Sequence, residues 1–317
     1  MINYLANWTK AKKAEEGKVK QVESITTKPH PTKVGSNADK KYTNDYNGFA
    51  ERGRDFVKKV APDLLDDISK YRKAEAEWDE ITSDSDKIEK EKEKLAKISK
   101  EISIYQERIE KSMEDVQQGL RDRHGMTDAE VKGILNRIDI EESARQAVPD
   151  FDGVMGDYIK MTGVRLENLD AIASVRPRAF AHKGYKALNT GSSLFPDGMR
   201  KILFHELAHF HEFGDDTILE ANRQWIADRA AKHSGQKKAE PKKLSEILED
   251  PNYRDDEIAF EDDFVHPYVG KVYEHDSTEV LSLGTERFSS TSEMMELYRE
   301  DPQHFEMTLG MLSMPKS

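Results

Sequence analysis

The chain of 317 residues contains no cysteine, which excludes disulfides, thiolate metal sites and a cysteine nucleophile. Any metal ion must therefore sit on His, Asp or Glu. Apolar residues are scarce, 36% against 35% charged, too few to fill a compact core along the whole length. Part of the chain is expected to be extended or disordered. No apolar run approaches the roughly 18 to 20 residues of a bilayer span, and residues 1–13 lack the apolar stretch and cleavage site of a secretory signal. Basic residues are outnumbered 49 to 61, and the net charge of -12 argues against a general nucleic-acid binder.

The composition divides the chain into three parts. Residues 1–43 read as a flexible basic leader: the stretch from 10 to 41 is Lys-rich and polar, with Gly17, Pro29, Pro31 and Gly35. Residues 44–149 read as a helical arm. A short helix is expected between 44 and 59, and Pro62 stands in the first turn of a second helix bearing Leu64, Leu65, Ile68, Tyr71, Trp78 and Ile81. After a turn at 82–86, Ile88, Leu95, Ile98, Ile102, Tyr105, Ile109 and Val116 follow one stripe of a long amphipathic helix. Two such stripes close on each other as an antiparallel, coiled-coil-like hairpin, unless the long one docks a protein partner. Thr127 and Glu130 form a capping box before Val131, Ile134, Leu135 and Ile138, and helix is expected to continue to about Gln146, closed by Pro149 and Asp150.

Residues 150–317 change character, with glycines, aromatics and mixed periodicity. Residues 171–188 read as short strands joined by turns, so the fold class is α+β, mostly helical, with a small sheet. Pro196 and Asp197 open a helix that carries Ile202, Leu203, Leu207 and Phe210 to a C-cap at Gly214. Another helix is expected from 217 to 233, followed by a Lys-rich surface loop at 235–243.

The first of these two helices holds His205-Glu206-Leu207-Ala208-His209. Residues i and i+4 lie one turn apart on one face, so both imidazoles can reach one ion at about 2.0 to 2.1 Å. Glu206 is offset by about 100° around the helix, where it can flank the ion and take a proton from a water on it. A catalytic zinc site usually has a third protein ligand. His211 points to the other side of the helix. Glu212 shares the face of His205 but lies about 10 Å further along the axis, which suits it to orienting a ligand His. Asp215 and Asp216 follow Gly214 in a turn where solvated acids are ordinary. A distant acid or His remains.

Residues 263–286 read DFVHPYVGKVYEHDSTEVLSLGTE. Together with FHELAHFHEF upstream and DPQHFEMTLGML downstream, this stretch resembles zinc metallopeptidase domains encoded in bacteriophages and prophages, which are similar to gluzincins. The resemblance runs from about Arg176 to the end and leaves out the leader and the hairpin. It implies a zincin-like domain over 150–317, with the Glu of the T-E-V-L-S block, Glu279, as third zinc ligand. Glu286, seven residues on, is the competing ligand. Around this block His266, Tyr268, Tyr273 and His275 are candidates for stabilising the oxyanion on a hydrated carbonyl, with Tyr273 preferred. Lys271 and Arg176 are candidate charge partners.

The expected function is zinc-dependent peptide hydrolysis, with His205, His209 and Glu279 on Zn2+, Glu206 as base and a protein or peptide as substrate. The alternatives are a metal-binding phage assembly protein with little turnover, and an adaptor working through the arm. Without a signal peptide or membrane span, the expected location is cytoplasmic or virion-associated.

Overall fold

The computed structural model describes residues 41–191, 198–273 and 277–315. Residues 1–40 of the expected leader, the helix-opening Pro196 and Asp197, and His275 lie outside the described residues. Of the leader's last three residues, Lys41 and Tyr42 both pair with Asp55 of the first helix.

In chain order the helices are α1 (Tyr46–Val60), α2 (Leu64–Thr82), α3 (Ser85–Lys90), α4 (Lys92–His124), α5 (Asp128–Arg137), α6 (Glu142–Ala147) and α7 (Phe151–Thr162). They continue with α8 (Met199–Phe213), α9 (Asp216–Ser234), α10 (Leu244–Ile247), α11 (Val280–Arg287), α12 (Thr291–Glu300) and α13 (Pro302–Leu312). The strands are β1 (Asp139–Ile140), β2 (Ala171–Ala173), β3 (Phe180–His182), β4 (Ala187–Asn189), β5 (Lys242–Lys243) and β6 (Ile258–Ala259). The protein is thus mostly helical with a small sheet. No helix among the described residues is long and apolar enough to cross a membrane.

The antiparallel hairpin forms between α2 and α4, with Glu77 paired to Lys94 near its tip and Asp67 to Arg108 near its base. Its tip is a small separate cluster of Ala74, Ile81, Leu95 and Ile98, with Trp78 and Ile102 packed against it. Two details differ from the sequence reading. Pro62 stands in the turn before the N-cap Asp63 rather than in the helix. The long helix also breaks at Glu91, and Ile88 on the short α3 is exposed.

Below the tip, Ile109, Met113, Val116 and Leu120 of α4 enter the main core, which runs without interruption from Phe49 to Leu312 and so crosses residues 149 and 150. Helix α13 lies along α1 at a separation only glycine permits. A Cβ on Gly53 would stand 2.0 Å from the Glu306 carbonyl oxygen, and one on Gly310 1.9 Å from that of Phe49. Asp157 of α7 is clamped between Arg121 of α4 and Arg200 of α8, and Gln117 of α4 donates to the Phe288 carbonyl at 2.9 Å. The base of the arm is therefore tied to the helix that bears the His-Glu-x-x-His motif.

The expected capping box forms between Thr127 and Glu130. The helical region does reach Gln146, in α6, but it is interrupted after Arg137. Ile138-Asp139-Ile140 alternates apolar and polar, and β1 leaves the helical region here to pair in parallel with β2. The main sheet has the order β1-β2-β4-β3, parallel except for β3, which runs antiparallel to β4. Strands β2, β3 and β4 fall within the expected stretch 171–188, give or take one residue, whereas β1 was not expected.

Candidate metal centre

Helix α8 forms because Met199, Leu203, Phe204, Leu207 and Phe210 make one apolar face, all fully buried against the core. That burial turns the other face, with His205 and His209, towards the loop before α11. The imidazole centroids are 5.1 Å apart. Glu279 immediately precedes α11 and is 1% exposed, with Oε2 lying 3.2 Å from Nε2 of His205 and 3.4 Å from Nε2 of His209. Two nitrogens and one carboxylate oxygen thus converge on one point.

The donor set fits a zinc ion. Donor atoms that ligate a common ion at about 2.0 to 2.1 Å in tetrahedral geometry stand about 3.3 Å from each other; the two nitrogen–oxygen separations here are 3.2 and 3.4 Å, and all three atoms lie within 4.8 Å of one another. Each imidazole is held by its other nitrogen, which leaves Nε2 pointing inward. Nδ1 of His205 is 2.9 Å from Oε2 of Glu286, and Nδ1 of His209 is 3.2 Å from Oγ of Ser277. Ser282 donates to Oε2 of Glu279 at 2.7 Å, while Tyr273 donates its phenol proton to Oε1. Oε1 is thereby occupied by Tyr273, while Oε2 accepts from Ser282 and also faces the ligand point.

Electrostatics follow from this crowding. Burial alone would raise the Glu279 carboxyl, but His209 and His205 beside it hold it well below the usual range. Burial would lower His205, yet Glu279 and Glu286 carry it well above the ordinary imidazole value. Glu206 is 6% exposed, and burial pushes its carboxyl up against the pull of His205 and His209. The backbone amide of Ala181 in β3 is directed at that carboxylate. A carboxylate whose affinity for protons has been raised is suited to accept one near neutral pH.

Of the residues singled out in the sequence, His205, His209 and Glu279 come together, with Glu206 beside them. Glu286 does not join the group; it holds His205. Glu212 touches no imidazole directly. It accepts from the Thr278 amide at 2.8 Å and from the Thr278 hydroxyl and Asn222, so it fixes the turn that presents Ser277 and Glu279. Tyr273 is engaged with Glu279 rather than turned to an open oxyanion position. His211 stays outside the cluster, His266 caps the short 3-10 turn Pro267–Gly270, and Asp215 caps α9. Lys271 is buried and paired with Glu257 at 2.9 Å, whereas Arg176 is exposed and its neighbour Arg178 contacts Glu257. Ser277, Asn222, Glu257 and Arg178 carried no signal in spacing or motif. A second grouping, His233 with Asp262 and Asp263, is mostly exposed, and Arg229 already occupies Asp262.

No family model, curated protein or solved structure matches the chain. Glu279→Ala is expected to strip the metal, whereas Glu286→Ala and Glu212→Ala, which remove supports for ligands, should weaken binding by only about 10- to 100-fold. Competition with a chromophoric chelator measures this; an equal or larger loss at Glu286 would contradict the ligand assignment.

Proposed function

We propose that the protein is a zinc-dependent peptidase of the zincin type, with His205, His209 and Glu279 as the residues that hold the ion. The observation that carries this reading is the convergence of two imidazole Nε2 atoms on one carboxylate oxygen at 3.2 and 3.4 Å, with the buried Glu206 alongside. Zinc held there would supply Lewis acidity, polarising a scissile carbonyl and acidifying a water. The chain's own residues account for the rest. Glu206 accepts the proton of the attacking water and passes it to the departing amine, with its pKa raised by burial so that both transfers are accessible. Glu286 and Ser277 keep the imidazoles in the tautomer that leaves Nε2 inward. Tyr273 holds Glu279, and strand β3, whose Ala181 amide faces Glu206, borders the place where a peptide backbone would lie.

A purely structural metal site needs no general base, and a buried acid beside the ion would be an unexplained cost. Digestion of a proteome-derived peptide library, read by mass spectrometry, tests the proposal. The zinc-loaded protein should cleave, chelation should stop cleavage and added zinc should restore it. Tight zinc binding with no cleavage of any peptide would contradict the peptidase reading and favour a structural ion.

A further inference from the structure

Lys271 is a buried cation one residue removed from the ligand set: it lies against Tyr273, and Tyr273 donates to Glu279. Its ammonium stands 2.9 Å from Oε1 of Glu257, a carboxylate buried as deeply, and 2.6 Å from the Tyr268 hydroxyl. An ammonium has three protons, and these two partners take two of them. The third neighbour is the ring of Tyr273, with its centroid 4.8 Å from the ammonium. A buried ion pair is a poor device for stability alone, since apolar residues of the same volume often serve that end as well or better. Nor does a merely structural pair require a place against the one phenol that touches a metal ligand.

The backbone fixes both ends of this contact. Lys271 and Tyr273 flank Val272, whose amide donates to the Ile258 carbonyl of β6 at 2.9 Å, and Glu257 immediately precedes that strand. The Glu257 carbonyl in turn accepts from the Leu244 amide, just after β5, at 2.8 Å. A cation against the face of a phenol attracts the electron-rich ring and holds it in one orientation. It also draws electron density from the ring, which makes the hydroxyl a stronger donor. Burial, and then the Glu279 charge, hold the Tyr273 phenol well above its ordinary pKa, so it keeps its proton and delivers it to Oε1 as a hydrogen bond. Carboxylates bind metal ions through one oxygen or through both. With Oε1 engaged by Tyr273, Oε2 is the oxygen that faces the two imidazoles.

We infer that Lys271 is a positioning residue: held by Glu257 and Tyr268, it fixes the Tyr273 phenol on Oε1 and so restricts Glu279 to one ligating oxygen. The position that a second carboxylate oxygen would fill is thereby kept for water. The hairpin of β5 and β6, two residues long in each strand, thus sets the coordination number of a site that none of its own side chains enters.

This inference rests on Glu279 as a metal ligand and not on turnover, so its test reads the ion directly. The full chain is loaded with cobalt(II), which substitutes for zinc and absorbs visible light strongly when four-coordinate and weakly when five-coordinate. The variants are Lys271→Met, which removes the charge and keeps the length, Tyr273→Phe, which removes only the hydroxyl, and the two combined. In Lys271→Met, Glu257 retains Arg178 at 3.5 Å as a partner. The parent should give the strong four-coordinate spectrum, and Tyr273→Phe should lose that intensity as Oε1 joins the ion. Lys271→Met should lose intensity in the same direction, and the combined variant should match Tyr273→Phe, because the lysine acts through the hydroxyl. If Lys271→Met melts too early to be measured, Glu257→Gln with Lys271→Met removes both charges and carries the same comparison. A parent spectrum kept by Lys271→Met, or a lysine effect that persists in full on Tyr273→Phe, would overturn the inference and leave the metal centre standing. So would a parent that is already five-coordinate. A parent that takes up no cobalt would overturn the ligand assignment as well.

Discussion

Glu206→Gln is expected to leave zinc in place and to lower peptide hydrolysis by roughly 100- to 10,000-fold, the usual contribution of a positioned general base. The amide has nearly the same volume, and its carbonyl oxygen can still accept from the Ala181 amide. What it lacks at neutral pH is any capacity to take a proton from water. Stability moves the other way. Burial raises the folded-state pKa of Glu206, so above that pKa its charge costs stability, and a neutral glutamine removes the cost. The melting temperature of the variant should therefore not fall. Steady-state cleavage of a library-derived peptide, beside a thermal melt and metal analysis, checks all three. Cleavage at the parent rate would show that another group is the base.

Ile109→Lys is expected to unfold the molecule and release its metal. Ile109 is 1% exposed within the continuous core, and an unpaired ammonium there costs several kcal/mol, comparable with the whole stability of a typical domain. Ile98 offers the contrast. It belongs to the small cluster at the hairpin tip, so Ile98→Lys should open the tip and leave the core and its zinc intact. Circular dichroism melts with zinc analysis separate the two outcomes. An Ile109→Lys protein that melts at the parent temperature with its metal bound would show that the base of the arm is not part of the core.

The two residues differ because the arm is only half independent, and this was not visible in the sequence. The stripe from Ile98 to Val116 is uniform to the eye; what changes along it is the partner, first α2 and then α7 and α12. The pairing of α1 with α13 was equally hidden. It joins residues some 250 positions apart through Gly53 and Gly310, whose role is to be absent as side chains. Helix α7 was obscured by Gly153 and Gly156, although Phe151, Val154, Tyr158 and Ile159 keep helical spacing. The pairing of His205 with His209 was legible because a spacing of four places two side chains on one face wherever a helix forms. Glu279 lies 70 residues beyond His209, and only the resemblance of its surrounding block pointed to it. The groups that hold the ligands, Glu286, Ser277 and Tyr273, act through contacts that no spacing rule encodes.

The most direct measurement is the zinc content of chelator-free protein by elemental mass spectrometry, for the parent and for His205→Ala, His209→Ala and Glu206→Gln. Each His variant removes one of the three residues proposed to hold the ion, whereas the Glu206 variant leaves all three in place. The account predicts close to one zinc per chain in the parent and in Glu206→Gln, and none in either His variant. Full zinc retention by both His variants, or a parent that takes up no zinc, would contradict it.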